Sequence, residues 1–76
     1  SFQKYRIMKK IKIKVNGKFV EIDKNQVLSK LLSRLKIPLK KVAIELNQEI
    51  INKKNINKIK IQKNDKIEIV HFIGGG

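Results

Sequence analysis

The sequence predicts an α+β domain in which a mixed sheet of four to five strands packs on one main helix. Three observations lead to this prediction. Residues 10–23 alternate between apolar and charged side chains on either side of an Asn-Gly pair, which is typical of a β-hairpin. Apolar residues at 27–35 then recur at the spacing of an amphipathic helix. Strand-like segments follow at 42–46 and 66–73.

Length and composition limit the classes of protein to consider. The 76 residues suffice for one small apolar core and therefore for one domain. The chain has no cysteine, which excludes disulfides and thiol chemistry, and its one histidine and six acids do not favour a metal cluster. No run of about 18 apolar residues indicates a membrane span. The expected compartment is the cytoplasm, or the plastid stroma if the gene is organellar.

The first predicted element is the hairpin. Asn16 and Gly17 can both take the positive φ that a type I′ turn requires, and this turn fixes the register of the two strands. Apolar pairs then share one face and opposite charges share the other, so the turn and the side-chain pattern agree. The expected pairs are Val15–Lys18, Ile13–Val20 and Ile11–Ile22 on one face, and Lys12–Glu21 and Lys10–Asp23 on the other.

The second predicted element is the helix that lies across the sheet. Asn25 is the expected N-cap, because its side chain can accept a hydrogen bond from the first turn. Lys36 is expected in the last turn, and Pro38 prevents the helix from continuing. The apolar face is expected to consist of Val27, Leu28, Leu31, Leu32 and Leu35.

The middle of the chain predicts shorter elements. A buried strand is expected at 42–46, followed by a turn at Asn47-Gln48 and a short strand. An irregular or single-turn segment then leads to a further short strand at 59–61. The "KND" sequence at 63–65 is expected to turn the chain into the last strand.

The last predicted strand, 66–73, places Ile67 and Ile69 in the core. Val70 and Phe72 then fall on the opposite face, either as ordinary packing residues or as an exposed apolar patch that docks partners. His71 is expected at the surface. The order of hairpin, helix, strand, short elements and final strand, with a right-handed crossover, is that of the ubiquitin-like β-grasp fold.

The charge of the chain is extreme, with 19 Lys and Arg against 6 acids and a net charge of +13. Lys, Ile and Asn make up half of the sequence and Arg occurs only twice, a bias typical of an AT-rich genome. The composition therefore favours mutational drift. The alternative is a small basic RNA-binding module. The few aromatic residues and the lack of a stacking motif argue against this alternative.

The two ends of the chain interrupt the periodic pattern. Residues 1–8 are expected to be a disordered leader, in which Met8 is the original initiator and the residues before it are upstream or added sequence. Residues 9–73 form the predicted domain, and 74–76 are a flexible glycine tail. Glycine loses more conformational freedom on folding than any other residue, so this tail is not expected to serve packing.

Residues 9–76 resemble the ThiS family of sulfur carrier proteins in thiamine biosynthesis. The resemblance is carried by "KVNG", "VLSKLL" and "VAIELNQEII", and most strongly by the closing "NDKIEIVHFIGGG". Asn64 stands where the family usually has glycine, and Asn tolerates the same left-handed conformation. Lys53-Lys54 stand where the family often has Pro-Arg.

The resemblance implies a protein co-substrate that is not an enzyme and binds no metal or cofactor itself. An E1-like activating enzyme would use ATP and magnesium to adenylate the Gly76 carboxylate. A sulfur donor such as a cysteine desulfurase system would convert it to a thiocarboxylate, which thiazole synthase would consume. Gly74 and Gly75 would thread the tail into both enzymes, because they carry no Cβ to obstruct a narrow tunnel.

Other functions remain open at this point. The carrier of the molybdopterin pathway and the ubiquitin-related modifiers share this fold and a terminal glycine pair. Neither a membrane nor nucleic acid is expected as a partner.

Overall fold

A computed structural model describes residues 9–73; the predicted leader at 1–8 and the tail residues Gly74, Gly75 and Gly76 lie outside them. The described chain contains five strands, one α-helix and two single 3₁₀ turns, at Leu39–Lys41 and Lys53–Asn55. In chain order the main elements are β1 (Lys10–Val15), β2 (Lys18–Asp23), α1 (Leu28–Arg34), β3 (Val42–Leu46), β4 (Glu49–Ile50) and β5 (Lys66–His71).

The five strands form one mixed sheet in the order β2-β1-β5-β3-β4. The last strand, β5, therefore lies at the centre, parallel to β1 and antiparallel to β3. The two hairpins, β1–β2 and β3–β4, lie on either side of β5, and no strand of one pairs with a strand of the other. This arrangement confirms the predicted mixed sheet on one helix.

Both hairpins close with turns of the same kind. Asn16 and Gly17 have φ values of 50° and 82°, and Asn47 and Gln48 have φ values of 51° and 74°. Both residues of each turn are thus left-handed, as a type I′ turn requires. The predicted register of β1 and β2 is confirmed at every pair, and Lys10 forms an ion pair with Asp23 at 2.7 Å.

The core lies between one face of the sheet and α1. Alternate residues of the strands point into it, and the opposite side of the sheet is here called the open face. The buried apolar residues are Ile13, Ile22, Leu28, Leu31, Leu32, Val42, Ile44, Ile56, Ile61, Ile67 and Ile69.

The start of α1 differs from the prediction, because Asn25 is not its N-cap. Asn25 has a φ of 66° in the preceding turn, and Val27 occupies the cap position without a side-chain hydrogen bond. The first helical N–H groups bond distant carbonyls instead. Leu28 donates to the Ile59 oxygen at 2.8 Å, and Ser29 to the Ile56 oxygen at 3.0 Å.

The end of α1 comes two residues earlier than predicted. The helix ends at Arg34, and Lys36 lies beyond it with a φ of 57°. Lys36 donates to the Ser33 oxygen and Ile37 to the Leu32 oxygen, both at 3.0 Å, which is a Schellman motif with lysine in the usual glycine position. Leu35 was expected on the apolar face but is 41% exposed.

The strand predicted at 59–61 is also wrong. This segment forms only an isolated antiparallel bridge between Lys60 and Val27. Its backbone bonds to the residues that precede α1 and not to the sheet, since the Ile61 N–H donates to the Gln26 oxygen. Across residues 9–73, no helix has the length and apolar content to cross a membrane.

Candidate functional site at the end of the last strand

The candidate site is built on β5, because this strand leads to the glycine tail. Within residues 9–73, the last backbone hydrogen bond that holds it runs from the Phe72 N–H to the Lys41 oxygen, at 2.8 Å. The next residue, Ile73, is 98% exposed. The described chain thus separates from the sheet after Phe72. The predicted tail residues Gly74, Gly75 and Gly76 lie outside the described residues.

The Asn16 side chain holds β5 where β1 has ended. Its carbonyl oxygen accepts from the Ile69 N–H at 2.7 Å, and its amide donates to the Ile69 oxygen at 3.3 Å. Together these bonds imitate a pair of strand hydrogen bonds. Asn16 therefore closes the hairpin turn and also extends the ladder along β5.

Asn47, in the turn of the hairpin β3–β4, holds the first residue of β5. Its side-chain oxygen accepts from the Lys66 N–H at 2.9 Å, and its backbone N–H donates to the Lys66 oxygen at 2.8 Å. Its amide also donates to the Asp65 carboxylate at 2.9 Å. We call Asn16 and Asn47 the asparagine clamps. Each reaches β5 from the first position of a type I′ turn.

The turn before β5 is fixed by Asp65 and Asn64. The second Asp65 oxygen accepts from the Gln62 N–H at 2.7 Å. Asn64 takes the predicted left-handed conformation, with a φ of 70°, and its N–H donates to the Lys12 oxygen at 2.9 Å. The start of β5 is thereby tied to β1.

Val70 and Phe72 lie on the open face, opposite the buried Ile67 and Ile69, as the alternation predicted. They are 51% and 57% exposed, and Val70 pairs with the half-buried Ala43 of β3. We call Ala43, Val70 and Phe72 the apolar patch. Both side chains are about half exposed, and a docking role for them stays a prediction.

Charged residues border the apolar patch. Glu45 of β3 lies directly opposite Glu68 of β5 on the open face, so two carboxylates stand side by side. The Lys53 ammonium lies 5.4 Å from the centre of the Phe72 ring, within the range of a cation–π contact. The surface around the patch therefore presents an aromatic ring, a valine and two glutamates on paired strands.

Phe19 marks a second apolar position on the open face that the sequence analysis did not single out. It is 67% exposed, and the ammonium groups of Lys12 and Lys14 lie 5.3 Å and 5.0 Å from its ring centre. It belongs to β2, at the edge of the sheet, and is separated from β5 by β1. Alternation along β2 could have placed it on this face.

The remaining candidate residues assemble no reactive centre. His71 is exposed at the end of β5, as predicted. Among residues 9–73, no group of three or more His, Asp or Glu side chains could hold a metal ion. Within the described residues, the candidate site therefore consists of the hydrogen-bonded strand β5 and the exposed apolar patch near its end.

Comparison with known proteins finds a matching family model, a similar protein of comparable length and a similar solved structure. A family model described as the ThiS family matches residues 9–76. The sulfur carrier protein ThiS of Bacillus subtilis is 38% identical over 65 residues, which cover 84% of this chain and 98% of that protein. The crystal structure of the thiamine biosynthesis protein (ThiS) from Geobacter metallireducens matches with a TM-score of 0.76 and 30% identity. That match covers 87% of this chain and 100% of the other, and it confirms the β-grasp fold.

A second kind of relative is much longer. The thiazole synthase of Paramagnetospirillum magneticum is 36% identical over 66 residues, which cover 87% of this chain and 20% of that protein. The thiazole synthase of Magnetococcus marinus matches to the same extent. This chain thus spans about a fifth of the length of these relatives.

Proposed function

The chain belongs to the ThiS family, and on that premise we propose that it is a sulfur carrier of thiamine biosynthesis, with the Gly76 carboxylate as the carrying group. It is then a protein co-substrate and not an enzyme. One observation carries this proposal beyond the family match. The clamped strand β5 leaves the domain beside the apolar patch, so a partner docked on Phe72 also has the start of the tail within reach.

The proposed chemistry takes place on the carboxyl group. An α-carboxyl is ionised at neutral pH, and its oxygen attacks the α-phosphorus of ATP with loss of pyrophosphate. The sulfur of a persulfide then attacks the acyl carbon and expels AMP. A thiol cleaves the remaining S–S bond and leaves a thiocarboxylate at Gly76. Thiazole synthase accepts that sulfur and returns the carboxylate.

The partners supply every other reacting group. ATP and Mg²⁺ belong to an E1-like activating enzyme, and the persulfide belongs to a donor such as a cysteine desulfurase system. Gly74 and Gly75 enter the active sites of the partners, since a chain without Cβ atoms passes through a narrow channel. Reacting atoms must come within about 3 Å of one another.

The apolar patch is the proposed docking surface for these partners. Val70 and Phe72 are exposed apolar side chains next to the tail, and the adjacent pair Glu45 and Glu68 favours a basic residue on the partner. Relatives named ThiS and thiazole synthase support the thiamine pathway over molybdopterin or modifier functions. The compartment, cytoplasm or plastid stroma, stays a prediction.

Intact-mass measurement of the full chain tests the proposal. The chain is incubated with an E1-like activating enzyme of thiamine biosynthesis, ATP, Mg²⁺ and a persulfide donor. The expected product is heavier by the replacement of one oxygen with one sulfur, and thiazole synthase reverses the change. A chain without Gly75 and Gly76 is the control and should stay unchanged. A sulfur-containing product from the shortened chain would contradict the assignment to Gly76.

A further inference from the structure

The charge of this protein is concentrated on one layer of the fold. Segments 24–41 and 51–64 are joined by backbone hydrogen bonds, including that from Leu28 to Ile59. Both segments bury apolar residues against the sheet, among them Leu31 and Ile61. Most of their polar side chains lie at the surface, whereas the Gln26 side chain is buried. We call these two segments the basic layer.

The basic layer carries eleven cations and no acid. Ten of the eleven are exposed, and Lys53 is half-buried. The rest of residues 9–73 carries six lysines and all six acids, and is neutral as a whole. The cations of the basic layer are Lys24, Lys30, Arg34, Lys36, Lys40, Lys41, Lys53, Lys54, Lys58, Lys60 and Lys63.

All six acids lie outside the basic layer, and three of them, Asp23, Glu49 and Asp65, border it. The other three, Glu21, Glu45 and Glu68, lie on β2, β3 and β5.

One acid at the border of the basic layer offsets part of the repulsion among its cations. The pKa of Asp23 is lowered first by its hydrogen bond to Lys10, and also by the charges of Lys30 and Arg34. Lys30 and Arg34 are four residues apart in α1, a spacing at which like charges repel. The first turn of α1 contains no acid. The ion pair among residues 9–73, Lys10–Asp23, lies outside the layer. A bound polyanion would relieve this repulsion.

The composition of the basic layer distinguishes nucleic acid from a protein partner. Protein interfaces are depleted in lysine and enriched in aromatic residues and arginine. The basic layer has ten lysines, one arginine and no aromatic residue. Lysine binds phosphate as a point charge, whereas arginine adds a bidentate fork that gives recognition geometric specificity.

We propose that the basic layer binds the sugar–phosphate backbone of nucleic acid without reading its sequence. Most of the layer lies on the helix side of the domain, and the apolar patch lies on the open face of the sheet. The two surfaces meet at Lys53, whose ammonium lies 5.4 Å from the centre of the Phe72 ring. This proposal does not depend on the sulfur-carrier function.

Fluorescence anisotropy with labelled DNA and RNA duplexes of equal length and varied sequence tests the proposal. The full chain is compared with two variants of equal net charge. One is Lys30→Gln/Arg34→Gln/Lys58→Gln in the basic layer, and the control is Lys12→Gln/Lys18→Gln/Lys66→Gln outside it. Circular dichroism checks that each variant is folded. If the helix substitutions disturb folding, Lys54→Gln/Lys58→Gln/Lys63→Gln provides the same test.

The full chain is expected to bind every duplex with a dissociation constant of about 10⁻⁴–10⁻⁶ M at physiological salt. The basic-layer variant should bind at least about tenfold more weakly. The slope of log K against log salt should also fall in magnitude by about 0.9 for each phosphate contact removed. The control should keep both values. The DNA and RNA arms show which nucleic acid is preferred.

Four results would overturn the proposal. Equal losses in the two variants would show that net charge alone drives binding. A dissociation constant far above the millimolar range would exclude a nucleic-acid partner. A strong preference for one sequence would contradict backbone binding. Tighter binding to phosphatidylserine vesicles than to either duplex would assign the layer to a membrane surface.

Discussion

At the scale of single residues, the asparagine clamps connect local turn geometry to the strand that carries the candidate site. Asn16 and Asn47 each take the left-handed conformation that the turn requires. The same side chains bond the backbone of β5, on its two sides. Any residue that tolerates positive φ could serve the turn, but an amide is needed to imitate the next strand.

Replacing Asn16 with glycine separates the two roles of the residue. Glycine keeps the positive φ of the turn but leaves the Ile69 N–H without its acceptor. We expect the free energy of unfolding to fall by about 1–3 kcal/mol, the cost of an unsatisfied backbone group. Urea denaturation followed by circular dichroism measures this loss.

Asn64→Gly is the matched control for this prediction. Asn64 also has a positive φ, and within the described chain its side chain makes no hydrogen bond. Its replacement should change the free energy of unfolding by less than about 0.5 kcal/mol. Equal effects at Asn16 and Asn64 would show that the clamp adds no stability.

Sequence could predict the turn at Asn16 but not the clamp. The turn depends on two adjacent residues, Asn16 and Gly17, whose preferences are local. The clamp depends on Ile69, which lies 53 positions away in the chain. No local pattern reports that β5 lies beside this turn.

At the scale of elements, α1 supplies three of the buried core residues, Leu28, Leu31 and Leu32. Leu31→Ala should reduce the free energy of unfolding by about 2–5 kcal/mol, because it leaves a cavity between the helix and the sheet. A domain of this size has a total stability of roughly 4–11 kcal/mol, at about 0.05–0.15 kcal/mol per residue. Thermal and urea unfolding measure the change.

Leu35→Ala is the control, because the sequence places Leu35 on the same apolar face. The structure places it at the helix end, 41% exposed and apart from the residues packed on the core. Its truncation should cost less than about 1 kcal/mol. Similar losses at Leu31 and Leu35 would mean that the helix continues as the periodicity suggested.

The elements that sequence predicted correctly are those with local causes. The type I′ turn and the alternation of side chains fixed the first hairpin together, and every predicted pair is present. The N-cap at Asn25 and the strand at 59–61 were wrong for one shared reason. The first N–H groups of α1 donate to the carbonyl oxygens of Ile56 and Ile59 instead of to a side-chain cap. The segment around Ile59 therefore bonds to the start of the helix and not to a strand of the sheet.

At the scale of the whole molecule, the apolar patch lies on the open face and most of the basic layer lies on the helix side, and the two meet where Lys53 contacts the Phe72 ring. The alternation along β5 predicted the face of Val70 and Phe72, because strand parity is a local property. The roles of Gly74, Gly75 and Gly76 remain predictions. The charge of the two segments of the basic layer could be counted from sequence, but their placement side by side required the fold.

Phe72 and Phe19 offer a matched test of the apolar patch. Both rings are exposed on the open face and both have a lysine ammonium nearby. Phe72→Ala should raise the KM of the activating enzyme for this protein about fivefold or more, since an aromatic anchor contributes above about 1 kcal/mol to binding. Kinetics of ATP–pyrophosphate exchange measure this.

Phe19→Ala should leave the same KM nearly unchanged, because Phe19 lies at the far edge of the sheet. Both variants should keep the melting temperature of the unaltered chain, since the two rings are exposed. An equal rise in KM for Phe19→Ala would extend the docking surface across the open face. No rise for Phe72→Ala would contradict the assignment of the patch.

The central position of β5 bears on how this chain is made. During synthesis the two hairpins emerge before it, and their facing edges on β1 and β3 remain unpaired until residues 66–71 have left the ribosome. Lys14 pairs with Lys66, so the sheet closes only through a contact between distant parts of the chain, which makes folding slow. Val70 lies on that same strand, and Phe72 follows it directly. A chain that has not yet released residues 66–72 therefore lacks both the central strand and the apolar patch, so a partner that binds the patch recognises only chains whose sheet can close.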